Sequence, residues 1–220
     1  MKRIFISCAL FLCTISLSAQ TKMTAKEAAL KIADRILDST TYEFKNTKTG
    51  EVYKSVKKLP LSMDVKVACK YNNWHYTNGV TNIALMELAD KVGDKKYDKY
   101  VLKNMNFVFN EGNLDFFRRQ YDQAFKDDGW NAVRKLSWHM IFRGKRLDDN
   151  GPMGASLIEL QMRHPNEAFL SYVNETADHL NYAEPRLVDG TIARLWPHVN
   201  TIWADDAFMA ISFLARMGKM

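Results

Sequence analysis

The sequence predicts an all-α fold built from helical hairpins, and three short patterns indicate it. Thr24 and Glu27 form a capping box ahead of an apolar series at helical spacing. Gly93-Asp94 places a helix stop directly before a helix start, which predicts two antiparallel helices joined by a short turn. His164-Pro165-Asn166 ends one helix and caps the next.

The apolar positions of the predicted helices follow in chain order. The first helix carries Ala25, Ala28, Ala29, Ile32, Ala33 and Ile36 on one face. The second carries Ala84, Leu85, Leu88, Ala89 and Val92, and the third carries Tyr97, Tyr100, Val101, Met105 and Val108. A later helix carries Phe169, Tyr172, Val173, Ala177 and Leu180, and another begins near Trp203. Residues 51–57 are the one candidate for a strand.

The N-terminus has the pattern of a secretory signal peptide over residues 1–19. Lys2-Arg3 is the charged part, residues 4–17 are the apolar part, and Ser18-Ala19 are the small residues before a cleavage site. The apolar run is short for a membrane span, which makes a retained transmembrane helix the weaker alternative. We therefore expect residues 20–220 to be exported to the periplasm or secreted.

Composition and charge exclude some classes of partner. With 47% hydrophobic and 25% charged residues, the chain has an ordinary globular composition. The formal net charge of +6 is spread along the sequence, and the basic residues do not cluster among aromatic ones. This pattern excludes a nucleic-acid-binding surface and leaves the oligomeric state open.

Metal, cofactor and thiol chemistry are not predicted. The five histidines show no spacing typical of a metal site, so we expect neither a metal nor another cofactor. Cys69 is the one cysteine that remains after residues 1–19 and can form no internal disulfide. We expect a buried structural thiol there, and a nucleophile is the alternative.

Three segments carry more polar and aromatic chemistry than a helical scaffold needs. They are residues 73–80, residues 147–154, and residues 188–190 together with 203–206. Each is predicted as a loop directly before a helix. If the starts of alternate helices gather at one end of the fold, these loops meet there and form a cleft.

The residues of these segments carry a resemblance to a known family. The motifs are Trp74-x-Tyr76-x-Asn78-Gly79-Val80, Leu147-Asp-Asp-Asn-Gly-Pro-Met-Gly154, Asn200-Thr-Ile-Trp-Ala-Asp-Asp-Ala-Phe-Met209 and Phe213-Leu-Ala-Arg-Met-Gly218. Over residues 71–220 the chain resembles glycoside hydrolase family 105, the unsaturated rhamnogalacturonyl hydrolases. That family is related to the unsaturated glucuronyl hydrolases of family 88.

The resemblance implies an (α/α)6 barrel with the site at one end. It also implies removal of a 4,5-unsaturated uronic acid from the non-reducing end of pectin-derived oligosaccharides of the rhamnogalacturonan type. A carboxylic acid protonates the vinyl ether, water adds at the adjacent carbon, and the hemiketal opens and expels the sugar. The carboxylate-distance rule of ordinary glycosidases does not apply to this reaction. The sequence leaves open whether the substrate is galacturonyl or glucuronyl.

The resemblance assigns the catalytic roles to two aspartates. Asp205 matches the general acid and base, and Asp149 matches the second aspartate, which binds sugar hydroxyls and assists the first. Asp206 and Asp148 are the immediate alternatives, because neighbouring residues at a helix start point about 100° apart and only one of each pair can face the cleft. A plain helix-capping role is the structural alternative for each.

Five further residues are candidates for substrate binding. Trp203, Trp74 and Tyr76 offer rings on which a sugar face can stack, although each can equally be a core aromatic. Asn78 belongs to the same motif as Tyr76. Arg194 can pair with the substrate carboxylate through its fork of donors, and an ion pair at the rim of the fold is the alternative.

The predicted helices are fewer than the barrel of this family needs. We therefore expect residues 20–220 to be the N-terminal part of such a domain, incomplete and poorly soluble or inactive alone, because open apolar helix faces cost about 25 cal/mol per Å². Two other functions stay open. One is a non-catalytic helical-hairpin protein that only binds sugar, and the other is a different carbohydrate enzyme of the (α/α) barrel type.

Overall fold

The computed structural model describes residues 23–143 and 146–220. The signal peptide predicted over residues 1–19 lies outside these ranges. Within them, no helix is both long enough and apolar enough to cross a membrane.

Helices dominate the described ranges, which confirms the predicted all-α class. The α-helices are α1 (Ala25–Ser39), α2 (Tyr76–Val92), α3 (Lys96–Val108), α4 (Glu111–Val133), α5 (Met140–Arg143), α6 (Leu147–Arg163), α7 (Glu167–Asp178) and α8 (Ala204–Met217). A 3-10 turn (Val56–Lys58) and a π-helical turn (His179–Ala183) complete the helical elements. Consecutive helices pack as hairpins, α2 on α3 and α6 on α7.

The predicted helix caps are present. Thr24 Oγ1 accepts from the Glu27 amide at 3.2 Å while the Thr24 amide donates to Glu27 Oε2 at 2.8 Å, which completes the capping box. Gly93 ends α2 with φ at 71°, a left-handed conformation that glycine adopts without strain. The Asn166 side chain accepts from the Ala168 amide at 2.8 Å and starts α7. These local patterns were therefore sufficient to locate helix ends.

A small antiparallel sheet lies between α1 and α2. Its strands are β1 (Phe44–Asn46), β2 (Val52–Tyr53) and β3 (Val65–Val67), in the order β2-β1-β3. The candidate strand at 51–57 contains β2 and the first two residues of the 3-10 turn, whereas β1 and β3 were not predicted. Strands of two or three residues are too short to show an alternating pattern.

Helix α6 is the centre of the fold and packs against α2, α7 and α8. Three glycines allow its close contacts. A Cβ at Gly151 would overlap the carbonyl of Met209 in α8, and a Cβ at Gly154 would come within 2.8 Å of the Phe213 ring. A Cβ at Gly79 of α2 would overlap the backbone of Pro152 in α6. The glycines of the two motifs therefore set the distance between these helices.

The loop predicted at residues 147–154 is instead the first two turns of α6. Asp, Asn, Gly and Pro are turn formers, so the local sequence favours a loop. Burial overrides that preference, because this stretch is covered by α2 and α8 on both sides. In the same way, residues 76–80 are the first turn of α2.

Candidate functional site

A cavity of about 410 Å³ lies where the start of α6 meets the turn after α7 and the segment before α8. Its wall combines charged groups of both signs with an exposed indole. The lining residues are Arg146, Leu147, Asp148, His179, Ala183, Glu184, Pro185, Arg194, Leu195, Trp196 and Asp206. The segments at 147–154 and 203–206 thus each contribute to this cavity, through Leu147 and Asp148 and through Asp206, whereas residues 73–80 and 188–190 do not line it.

Asp206 is the engaged member of the pair at the start of α8. Its Oδ2 accepts from the Trp203 amide at 3.0 Å, which caps the helix. Its two carboxylate oxygens also accept from Arg194 Nε at 2.8 and 2.6 Å. With its side chain 6% exposed, Asp206 is a buried structural carboxylate, and the capping alternative applies to it.

Asp205 is the open member of the same pair. Its side chain is 54% exposed, and its nearest cationic atom is Arg194 Nη2 at 3.9 Å from Oδ2. No side-chain cap or close hydrogen bond of Asp205 occurs in the described part of the chain. The two neighbouring aspartates therefore take different roles, as the angular offset at a helix start predicts.

Arg194 lies between three carboxylates. Besides Asp206 and Asp205, its Nη2 is 3.6 Å from Asp148 Oδ1, and its guanidinium lies 4.1 Å from the centroid of the Trp203 ring. Hydrogen bonding to Asp206 raises the pKa of Arg194 above its ordinary value. The ion-pair alternative describes this residue, since its charge is already matched within the protein.

Asp149 faces the interior of the fold. Its side chain is fully buried, and Arg143 donates to both of its carboxylate oxygens from Nε and Nη2. Trp74 Nε1 donates to the Asp149 carbonyl at 2.8 Å. Burial raises the pKa of the Asp149 carboxyl, and the hydrogen bonds and charge of Arg143 oppose that rise.

Asp148 is the aspartate of the second pair that lines the cavity. It is partly exposed and lies beside Arg194. The structure thus brings the Asp148 carboxylate to Asp205 and Asp206 through a shared arginine, and it keeps the Asp149 carboxylate on the interior side. Direct contact of a sugar with Asp149 is not supported by this geometry.

The predicted aromatic residues divide into core and surface. Trp74 is 0% exposed and packs edge-on against Tyr172 at 4.8 Å between ring centroids, so its core alternative is the one observed. Trp203 and Tyr76 are partly exposed, at 42% and 37%. Their rings can contact a sugar, and so can the exposed ring of Trp196 on the cavity wall.

Asn78 has a structural contact pattern. Its Nδ2 donates to the carbonyls of Lys70 and Asn73, each at 2.9 Å. These bonds hold the loop before α2 on the first turn of that helix. The structure therefore places Asn78 as a support of the neighbouring Tyr76 segment.

The sequence analysis missed several residues of the site, among them Arg146 and Trp196 on the cavity wall. Arg143 pairs with Asp149, and His179 and Glu184 lie on the cavity wall with Nε2 and Oε2 2.8 Å apart. Burial raises the pKa of Glu184, while the hydrogen bond and charge of His179 lower it. No local motif marks any of these residues, because their partners are set by tertiary packing.

In the ranges that the structure covers, potential metal ligands do not cluster, and Cys69 is less buried than predicted. No three His, Cys, Asp or Glu side chains of those ranges are arranged to hold a metal ion. Cys69 is half-buried, less than predicted, and its Sγ lies 3.6 Å from the Ser39 carbonyl.

Comparison with known proteins gives one match. The sequence model of a family described as Glycosyl Hydrolase Family 88 matches residues 51–220, which is more than half of the chain and includes every cavity residue. No curated protein matches the chain.

Proposed function

The chain belongs to glycosyl hydrolase family 88, and from this premise we propose that it is an unsaturated glycuronyl hydrolase. Family membership makes the protein a glycoside hydrolase. The proposed substrate is an oligosaccharide of the rhamnogalacturonan type that ends in a 4,5-unsaturated uronic acid. This finer assignment is supported by the motif resemblance, and the predicted signal peptide favours action in the periplasm or outside the cell.

The observation that carries the proposal is the difference between Asp205 and Asp206 in exposure and in ion pairing. A general acid must be free to contact the substrate and to exchange its proton with water. Asp206 is buried and bound to Arg194, whereas Asp205 is open beside the same arginine. We assign Asp205 as the proton donor on this ground.

The reaction begins at the double bond of the substrate. Asp205 donates its proton to C4, and the positive charge that develops at C5 is shared with the ring oxygen. Water adds to C5 and returns a proton to the Asp205 carboxylate, which gives a hemiketal. The hemiketal opens to a ketone, and the hemiacetal left at C1 collapses to an aldehyde and releases the next sugar.

The remaining residues are assigned by their exposure, their position on the cavity wall and their contacts. Trp203 and Tyr76 offer exposed rings for stacking against the sugar. Asp148, on the cavity wall, is placed to accept hydrogen bonds from sugar hydroxyls. Asp149 then acts as a positioning residue, since its bonds to Arg143 and Trp74 hold the first turn of α6.

The test is turnover of an unsaturated disaccharide, followed by loss of the ultraviolet absorbance of its alkene. In an enzyme that carries the complete barrel domain, we expect the wild type to consume a galacturonyl-rhamnose substrate and Asp205→Asn to be slower by about 10²–10⁴-fold, the usual contribution of a general acid. Asp122→Asn, which changes an exposed helical aspartate outside the cavity wall, is the matched control and should keep full activity.

Two outcomes would overturn the proposal. One is retention of wild-type activity by Asp205→Asn. The other is absence of turnover by the wild type on both galacturonyl and glucuronyl substrates. Saturable binding without turnover would assign a sugar-binding protein instead, and activity on saturated substrates would assign a different hydrolase.

A further inference from the structure

Arg146 is a second arginine on the cavity wall and differs from Arg194 in its ion pairing. It stands at the N-cap position of α6, directly before Leu147, and is half-buried. Its guanidinium carbon lies 4.8 Å from the centroid of the Trp196 ring, and both residues line the cavity.

Arg146 has no ion-pair partner among the side chains that the structure describes. From a greater distance its charge opposes the burial that raises the pKa of Asp149, whereas Arg194 has Asp148, Asp205 and Asp206 within 3.9 Å. Its side chain makes no capping bond to α6 either. A carboxylate that enters the cavity therefore meets an arginine without an ion-pair partner at Arg146, whereas the charge of Arg194 is already balanced by three carboxylates.

The surroundings of Arg146 suit a planar anion. A guanidinium presents its N–H donors as a rigid fork that matches both oxygens of a carboxylate. The contact with the Trp196 ring does not pair the guanidinium with a carboxylate or carbonyl oxygen. It limits the directions in which the guanidinium can point. Trp196 is 62% exposed, so its ring also offers a surface beside the fork.

The other charges of the cavity wall would orient such an anion. Asp148, Asp206 and Glu184 also line the cavity with carboxylates. Like charges repel, so these groups disfavour any pose in which a substrate carboxylate lies against them.

We propose that Arg146 and Trp196 form the subsite that binds the carboxylate of the terminal uronic acid and so make the site selective for the free acid over its ester. This inference deepens the proposed function and rests on it for the identity of the sugar. The earlier assignment of the substrate carboxylate to Arg194 is replaced by this one.

The first experiment measures binding and needs no turnover. Dissociation constants for D-galacturonate and its methyl ester are determined by ligand-observed NMR titration with wild-type protein, Arg146→Gln and Arg119→Gln. Arg119 is an exposed arginine of α4 and serves as the matched control. We expect about 10- to 100-fold weaker binding of the acid to Arg146→Gln, the range for a charged hydrogen bond, with ester binding unchanged.

The second experiment uses the unsaturated disaccharide and its methyl ester as substrates. In Arg146→Gln the KM for the acid should rise to that for the ester while kcat stays close to wild type, because the carboxylate is bound equally in ground and transition states. Arg146→Lys, which keeps the charge and loses the fork, should recover part of the preference for the acid.

The outcomes separate this inference from the proposed function. If the wild type is active but Arg146→Gln keeps the preference for the acid, the subsite is wrong and the function stands. If the wild type shows no turnover, the proposed function fails, and the titration alone decides the subsite. Equal affinity of the wild type for acid and ester overturns the subsite in either case.

Discussion

Arg194 donates from Nε to both carboxylate oxygens of Asp206, at 2.8 and 2.6 Å. This contact joins the segment before α8 to the first turn of that helix. It also occupies the one aspartate of the pair that points inward, so that Asp205 is left facing outward. The order of the site therefore depends on an ion pair that does not itself contact the reacting atoms.

Removal of each of the two neighbouring carboxylates should change the stability of the protein by a very different amount. Asp206→Asn leaves Arg194 without its closest partner and weakens the helix cap, so we expect a loss of about 3 kcal/mol in the free energy of unfolding. Asp205→Asn changes an exposed group and should alter stability by less than about 0.5 kcal/mol. Urea unfolding of both variants measures the difference. Equal losses of stability in the two variants would contradict the assignment of the structural role to Asp206 alone.

Arg143→Gln should make stability depend on pH through Asp149. Burial already raises the pKa of this carboxyl, and loss of Arg143 removes the opposing charge, so the pKa rises further. A group whose folded pKa is raised contributes fully below its unfolded pKa of about 3.9 and loses that contribution as pH rises through the folded value.

The variant should therefore resemble the wild type near about pH 4 and lose about 3 kcal/mol by about pH 7, where the buried carboxylate is ionised and unpaired. Denaturant unfolding across this pH range measures the effect. The double variant Arg143→Gln with Asp149→Asn is the control and should show no such pH dependence. A parallel pH profile in the single and double variants would exclude Asp149 as the cause.

Gly151→Ala should separate α6 from α8. The added Cβ would overlap the carbonyl of Met209, which is backbone and cannot move without the helix. We expect a loss of about 1–3 kcal/mol in stability from overpacking, together with reduced turnover as the Asp148 and Asp205 side chains move apart. Gly218→Ala is the control, because its Cβ would meet nothing closer than 3.8 Å. Full activity of Gly151→Ala would show that the close approach is not required.

Arg163→Gln should lower stability at neutral pH but not in acid. Arg163 Nη2 lies 2.7 Å from Asp90 Oδ2, and this hydrogen bond lowers the pKa of Asp90. A lowered folded pKa stabilises the protein above the unfolded value of about 3.9, and that contribution is lost as pH falls through the folded value.

The melting temperature of Arg163→Gln should thus lie below that of the wild type at about pH 7 and approach it below about pH 3. The effect should be small, since Asp90 is largely exposed. Arg119→Gln, whose ion pair with Asp115 lies within one helix, is the comparison. An equal reduction of the melting temperature at both pH values would indicate that the variant loses packing rather than an ion pair.

The sequence was most informative where a structure is determined by neighbouring residues. The capping box at Thr24, the stop at Gly93 and the cap at Asn166 each act within one turn of helix, and the structure has all three. The different roles of Asp205 and Asp206 also followed from angular spacing alone, although the identity of the capping member needed the structure.

Tertiary packing decided what the sequence could not. Residues 147–154 have turn-forming composition but form a helix because α2 and α8 bury them. Trp74 and Tyr76 belong to the same motif, yet the Trp74 ring is in the core and the Tyr76 ring is at the surface. Arg143 is six residues from Asp149, which is not a helical neighbour spacing, so its pairing leaves no signal in the chain.

The ion pair of Arg194 also carries information about register. Arg194 and Asp206 are twelve residues apart, and that interval decides which of two identical side chains is tethered. An insertion of one residue between them would place Asp205 at that interval, under the guanidinium, and turn the accessible carboxylate by about 100° around the helix axis. The proposed proton donor is thus set by its spacing along the chain, and we expect an insertion or deletion in residues 195–202 to reduce activity while every aspartate is retained.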